Sequence, residues 1–238
     1  LDMELALAWV QENIGQFGGD RNRVTIFGVS AGGQAVNLLM SSPNARDMFH
    51  GAIAQSGYST WALPRTSNAP VPAPLNMNRE SAASAEQMAV DLVDRITETP
   101  QSAHMMRSLD GMSLVNAVVG FQLPIVDGTS LPEEPGLLFL RGEQNPVPYI
   151  SGGNSFEGSV QRASGISDDE YRKMIGDHLG SARTLYSDDP DDIWLTRMFG
   201  DNRYLLSARL LTGAMAKVSS PSWRYYHDFL SSDQAGQP

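Results

Sequence analysis

"FGVSAGG", residues 27–33, sets a single hydroxyl, that of Ser30, among glycines. Its flanks decide how it is read. "RVTIFG", Arg23 to Gly28, is a short run of β-branched and aromatic residues without alternation. That pattern predicts a central parallel strand covered on both faces. Residues 31–41, "AGGQAVNLLMS", read as helix. Strand, turn and helix are the context in which G-x-S-x-G carries chemistry. Gly28 and Gly32 stand two residues either side of Ser30, where a sharp turn leaves little room for a Cβ. The hydroxyl is then lifted above the carboxyl edge of the sheet. The Ala31 N–H, at the helix start, points to where an oxyanion would develop. The competing reading is an ordinary turn serine, since five residues recur by chance; the strand before and the helix after weigh against it.

Outward from this point the chain keeps the rhythm of an α/β sheet. Met3, Leu7, Val10, Ile14 and Phe17 recur at spacings of four and three, which places them on one helical face. "FGGD" ends that helix, with Gly18 or Gly19 suited to the left-handed closing position. "GAIAQSG", 51–57, reads as a second buried strand. Beyond it, prolines at 64, 70, 72 and 74 argue against regular structure. That irregular stretch, which includes Trp61, either lines a substrate pocket or is a surface insertion. Residues 79–97 and 101–119 read as two or more helices whose methionines fill core, and 191–217 as a long helix or a pair broken near Gly200.

Composition excludes several function classes. The 238 residues carry 17 Lys and Arg against 27 Asp and Glu, a net charge of −10. That sign argues against nucleic acid and anionic membranes, both of which need a basic surface. With no cysteine there is neither a disulfide nor a thiolate metal site, and the compartment and oligomeric state stay open. No apolar run approaches the roughly 20 residues of a membrane span. Neither a metal motif nor a phosphate loop is present, so no cofactor is expected.

The run "LALAWVQENIGQFGGDRNRVTIFGVSAGGQAVNLLMSSPNARDMFHGAIAQSG" resembles the type-B carboxylesterase/cholinesterase-like family of α/β-hydrolases. "LPIVDGTSLPEEP", "VPYISGGNSFEGS" and "SPSWRYYHDF" extend the resemblance along nearly the whole chain. It implies one partial α/β-hydrolase domain over residues 1–238: a mostly parallel sheet flanked by helices and incomplete at both ends. The implied activity is hydrolysis of a small-molecule ester through an acyl-enzyme on Ser30. A non-catalytic binding or adhesion domain of the same family is the alternative. The family's usual Glu before the nucleophile is Val29 here, which takes a carboxylate from the pocket floor.

A serine nucleophile needs a histidine base, and the histidine needs a carboxylate to orient it. Most acids here have structural readings. Ser167 and Glu170 make a capping box, Asp188, Asp189, Asp191 and Asp192 open a helix, and Asp127 reads as a turn residue. Glu157 lies in a Gly-rich loop just past a predicted strand, where α/β sheets place their chemistry, and the family's Glu-Gly pair falls on Glu157-Gly158. Ser30 and Glu157 are expected to face one cavity, about 7 Å apart across an imidazole. His50 reads as structural, and His104 and His178 as surface residues. His227 lies within a predicted strand, several residues short of the family's histidine loop. The resemblance implies that this histidine follows Pro238 and that two further oxyanion donors precede Leu1. The chain would then hold nucleophile, acid and one donor, and be nearly inactive alone.

Overall fold

The computed structural model describes residues 1–67, 84–97, 102–119 and 122–229. Helix α1 (Asp2–Asn13) leads into strand β1 (Thr25–Val29), helix α2 (Ala31–Ser41) and strand β2 (Gly51–Gln55). Helices α3 (Ala85–Asp94), α4 (Ala103–Ser108), α5 (Gly111–Ala117) and α6 (Pro135–Arg141) follow before strand β3 (Tyr149–Asn154). Then come α7 (Val160–Ala163), α8 (Asp168–Ile175), α9 (Leu179–Leu185), α10 (Trp194–Gly200) and α11 (Leu206–Ala214), and the last strand is β4 (Ser222–His227).

The four strands pair in chain order, β1-β2-β3-β4, and every pair is parallel. Parallel neighbours need a crossover between them; α2 supplies the first and packs across β1 and β2. Its sequence is rich in Ala, Leu and Met, all good helix formers. It buries Val36, Leu39 and Met40 against Phe49, Ala52, Ala54, Phe139, Tyr149, Leu211 and Met215. Each large side chain so buried contributes about 1.5–3 kcal/mol. One polar pair lies inside: the Tyr149 hydroxyl donates to Asn37 Oδ1 at 2.6 Å, and burial pushes that phenol well above its ordinary range. A second cluster of Tyr171, Ala182, Trp194, Leu195 and Phe199 gathers under Trp61.

Several elements differ from the sequence expectation. Among the described residues β1 pairs only with β2, and Phe27 and Val29 are 75% and 64% exposed. An unbroken apolar run signals cover on both faces but says nothing of which neighbours supply it. Of the expected α1 stripe, Leu7 is buried while Met3 and Phe17 are exposed; Phe17 turns back on Trp9, ring centroids 5.8 Å apart. Gly18, at φ 81°, is the left-handed closing residue. In α4 and α5, Met106 and Met112 are exposed rather than core. The acids at 188–192 lie before the N-cap Ile193, with Asp189 and Asp191 bound to Arg197 and Arg183 instead. The break near Gly200 is a π turn, Asp201–Leu205, joining α10 to α11. Residues 68–83, 98–101, 120–121 and 230–238, including Pro70, Pro72 and Pro74, lie outside the described residues.

Candidate active site

Ser30 sits between β1 and α2 with φ 55° and ψ −116°, a backbone conformation that costs a non-glycine residue of order 1–3 kcal/mol. Neighbouring groups hold it there. Its N–H donates to Gln55 O at 2.8 Å, continuing the β1–β2 ladder past the strand end, and its C=O accepts the Gln34 N–H at 2.9 Å. A Cβ on Gly28 would lie 2.5 Å from the Gly32 carbonyl carbon, so strand and helix pass too closely for any side chain there. Gly32 itself has open space, contrary to expectation. The second crowded position is Gly33, whose Cβ would lie 2.7 Å from Gln55 O. Ala31 is the first residue of α2, so its N–H has no intrahelical acceptor and is free for a ligand oxygen.

β2 and β3 end at the same sheet edge. Ser56 follows β2 with φ 48° and gives its N–H to Gly152 O at 2.8 Å. Its Oγ donates to Glu157 Oε1 at 2.5 Å. The same carboxylate oxygen accepts the Asn154 N–H at 2.7 Å and Asn154 Nδ2 at 3.1 Å. Glu157 is only 7% exposed, and all three bonds fall on Oε1, leaving Oε2 without a hydrogen bond among the described residues. The Glu157-Gly158 pair is clamped against the end of α10. A Cβ on Gly158 would lie 2.3 Å from Thr196 O, and one on Gly200 2.6 Å from the Glu157 carbonyl carbon. Ser30, Ser56 and Glu157 thus follow three successive parallel strands, which run about 4.8 Å apart.

Ser30 opens into a cavity of about 470 Å³ walled by the loop after β2 (Tyr58, Ser59, Trp61, Ala62, Leu63), by α7, and by Arg203 and Tyr204 of the π turn. Trp61 therefore lines the pocket, one of the two readings open from sequence. Glu157 is not on this wall; Ser56 and Asn154 draw its carboxylate aside, so hydroxyl and carboxylate do not share the expected cavity surface. None of the four histidines lines the cavity either. His50 Nδ1 accepts the Val24 N–H at 3.4 Å, and His104 and His178 are exposed. His227 is the last residue of β4, not several residues back, and is exposed. Val29 lies outside the wall as well. Asp127 is a turn residue, as read: its Oδ1 accepts the N–H groups of Thr129 and Leu131, both at 2.9 Å. Partial burial opposes ionisation, but these donors hold its carboxyl below the ordinary value.

Two neighbours of the site escaped the sequence reading. Ser56 in "AQSG" looks like any strand end. Arg203 had a signal, since Leu195, Phe199, Arg203, Ser207 and Leu211 recur every fourth residue and all are buried. A cation within such a stripe departs from the usual apolar face.

Among the described residues, no group of three or more His, Asp or Glu could hold a metal ion, and no helix is long and apolar enough to cross a membrane.

A model of the carboxylesterase family matches residues 1–222. The chain is 33% identical over 235 residues to a fumonisin B1 esterase of Sphingopyxis macrogoltabida, covering 94% of this chain and 41% of that protein. It is 36% identical over 175 residues to a liver carboxylesterase of Sus scrofa, covering 66% of this chain and 29% of that one. The chain thus spans about two fifths or less of these relatives. The fold is that of a carboxylesterase from Geobacillus stearothermophilus, with TM-score 0.76 over 97% of this chain and 49% of that one, at 24% identity.

Proposed function

The chain belongs to the carboxylesterase family, and on that premise we propose that it carries the nucleophile and acid of a serine ester hydrolase. The observation that carries the reading is the strained Ser30, held at φ 55° above the sheet edge and opening into the cavity. Its Oγ attacks the ester carbonyl and an acyl-enzyme forms; the alcohol leaves, and water releases the acid. The Ala31 N–H supports the oxyanion. Glu157 is the carboxylate that orients the base, with Oε1 fixed by Ser56 and Asn154 and Oε2 free for an imidazole N–H. No histidine of these 238 residues meets both groups, so the proposal assigns the base to an imidazole outside them. The elbow glycines are Gly28 and, by position in the motif, Gly32.

A fluorophosphonate probe tests this. A longer product of the same gene should label at Ser30, and Ser30→Ala should abolish labelling. Glu157→Gln should slow it by two or more orders of magnitude, in line with the loss of a triad member. The 238-residue chain alone should label far more slowly. Rapid stoichiometric labelling of that chain would mean that one of its own histidines is the base, with His227→Ala the variant to identify it. A longer protein that never labels would leave a binding domain on a hydrolase fold.

A further inference from the structure

Among the described residues, Arg203 is the single charged one on the wall of the Ser30 cavity. Its side chain is 7% exposed, and among the described residues its guanidinium makes no ion pair and its buried Nε–H has no acceptor. Arginines in that position normally meet a carboxylate, because an uncompensated buried charge costs several kcal/mol. The other buried cation among the described residues does so: Arg65 is bound by Glu133 and Glu134. The acids near Arg203 are engaged elsewhere. Asp201 accepts the Tyr186 hydroxyl at 2.9 Å, and Glu157 is held by Ser56 and Asn154. In place of an acid, four rings surround the guanidinium carbon: Tyr58 at 4.3 Å, Trp61 at 4.8 Å, Phe199 at 5.7 Å and Tyr204 at 5.9 Å. Ring faces attract a cation and fix its plane, but they accept few of its five N–H bonds. The π turn Asp201–Leu205 is what presents Arg203 to the cavity, and π turns in helices frequently occur at functional sites.

We propose that Arg203 is a specificity residue that receives a carboxylate of the substrate, so that the preferred ester is a half ester of a dicarboxylic or polycarboxylic acid. This rests on Ser30 being the reacting residue. A planar guanidinium held by rings is shaped for a carboxylate, which it binds through two parallel N–H bonds. The remaining wall, with Leu63, Leu123, Val160, Ile166 and Met174, is apolar. It suits the hydrocarbon between the two ends of such a molecule.

The test uses the Ser30→Ala chain, in which turnover cannot occur, and two ligands of matched length, monobenzyl glutarate and benzyl methyl glutarate. Titration calorimetry at pH 7.5 should show the half ester binding about tenfold more tightly or better, the usual worth of a hydrogen-bonded charge. In Arg203→Gln, checked for folding by circular dichroism, the half ester should lose that advantage while the diester keeps its affinity. Should Arg203→Gln fail to fold, phenylglyoxal modification of Arg203 in the Ser30→Ala chain, read by peptide mass, replaces it. Protection by the half ester alone supports the proposal. Equal affinities in the Ser30→Ala chain, a preference that survives in folded Arg203→Gln, or equal protection by both ligands would overturn it. Because binding is read without turnover, a failure here is separate from a failure of Ser30 to label in the longer protein.

Discussion

Three donors converge on one oxygen of Glu157, and the shortest bond, 2.5 Å, comes from a side chain 101 residues away in sequence. A buried carboxylate that loses such a donor keeps its desolvation cost and gives up a charge-assisted bond. Ser56→Ala is therefore expected to lower the unfolding free energy by about 1.5–3 kcal/mol. The check is a shift of the denaturant midpoint at unchanged slope. A loss below half a kcal/mol would mean that Asn154 alone holds the carboxylate. The placement of Ser30 and Glu157 was legible in sequence because their local setting is distinctive: strand, turn and helix for one, a Gly-rich strand end for the other. Ser56 was not, since its role exists only once β2 and β3 lie side by side. Arg203 escaped notice although it is a cation in a stripe that recurs every fourth residue, and only the fold shows that no acid among the described residues pairs with it.

At the scale of elements, the contact that fixes Glu157 is a backbone crossing. Gly158 faces Thr196 of α10, and Gly200 at the end of α10 faces the Glu157 carbonyl. Neither neighbour is a flexible side-chain tip, so an added methyl must push the two segments apart. Gly200→Ala should cost about 1–3 kcal/mol through overpacking and shift the amide resonances of Glu157 and Ser56 in a proton–nitrogen spectrum. Gly180 of α9, where a Cβ would meet nothing within 4 Å, is the control. Gly180→Ala should be neutral or stabilise by up to about 1 kcal/mol. Equal losses at both positions would remove the crossing as the cause. Element types were legible where the local pattern was strong, as in β1, α2, β2 and the capping box of Ser167 and Glu170. Lateral order was not, because hydropathy reports that a strand is apolar without reporting its partner. β1 was therefore read as central although, among the described residues, it pairs with β2 alone.

For the whole molecule, charge and edge act together. The chain carries a net charge of −10 at pH 7 and a sequence pI of about 4.8, so repulsion keeps copies apart at neutral pH and fades toward pH 5. The open edge of β1, with Phe27 75% exposed, is then free to pair with another copy. Light scattering on the 238-residue chain should rise as pH falls from 7 to 5, and Phe27→Lys should reduce that rise severalfold. An unchanged rise in the variant would locate the association elsewhere. The π turn between α10 and α11 has a consequence of another kind, for how such a protein can change by insertion and deletion. It accommodates one residue more per turn than the α-helices on either side. One codon lost there would close the turn into ordinary helix while α10 and α11 kept their faces on the core, and a different side chain would face the cavity. Chain length at this single point is thus a means of changing ligand preference in one genetic step, with the sheet and its strand ends left in register.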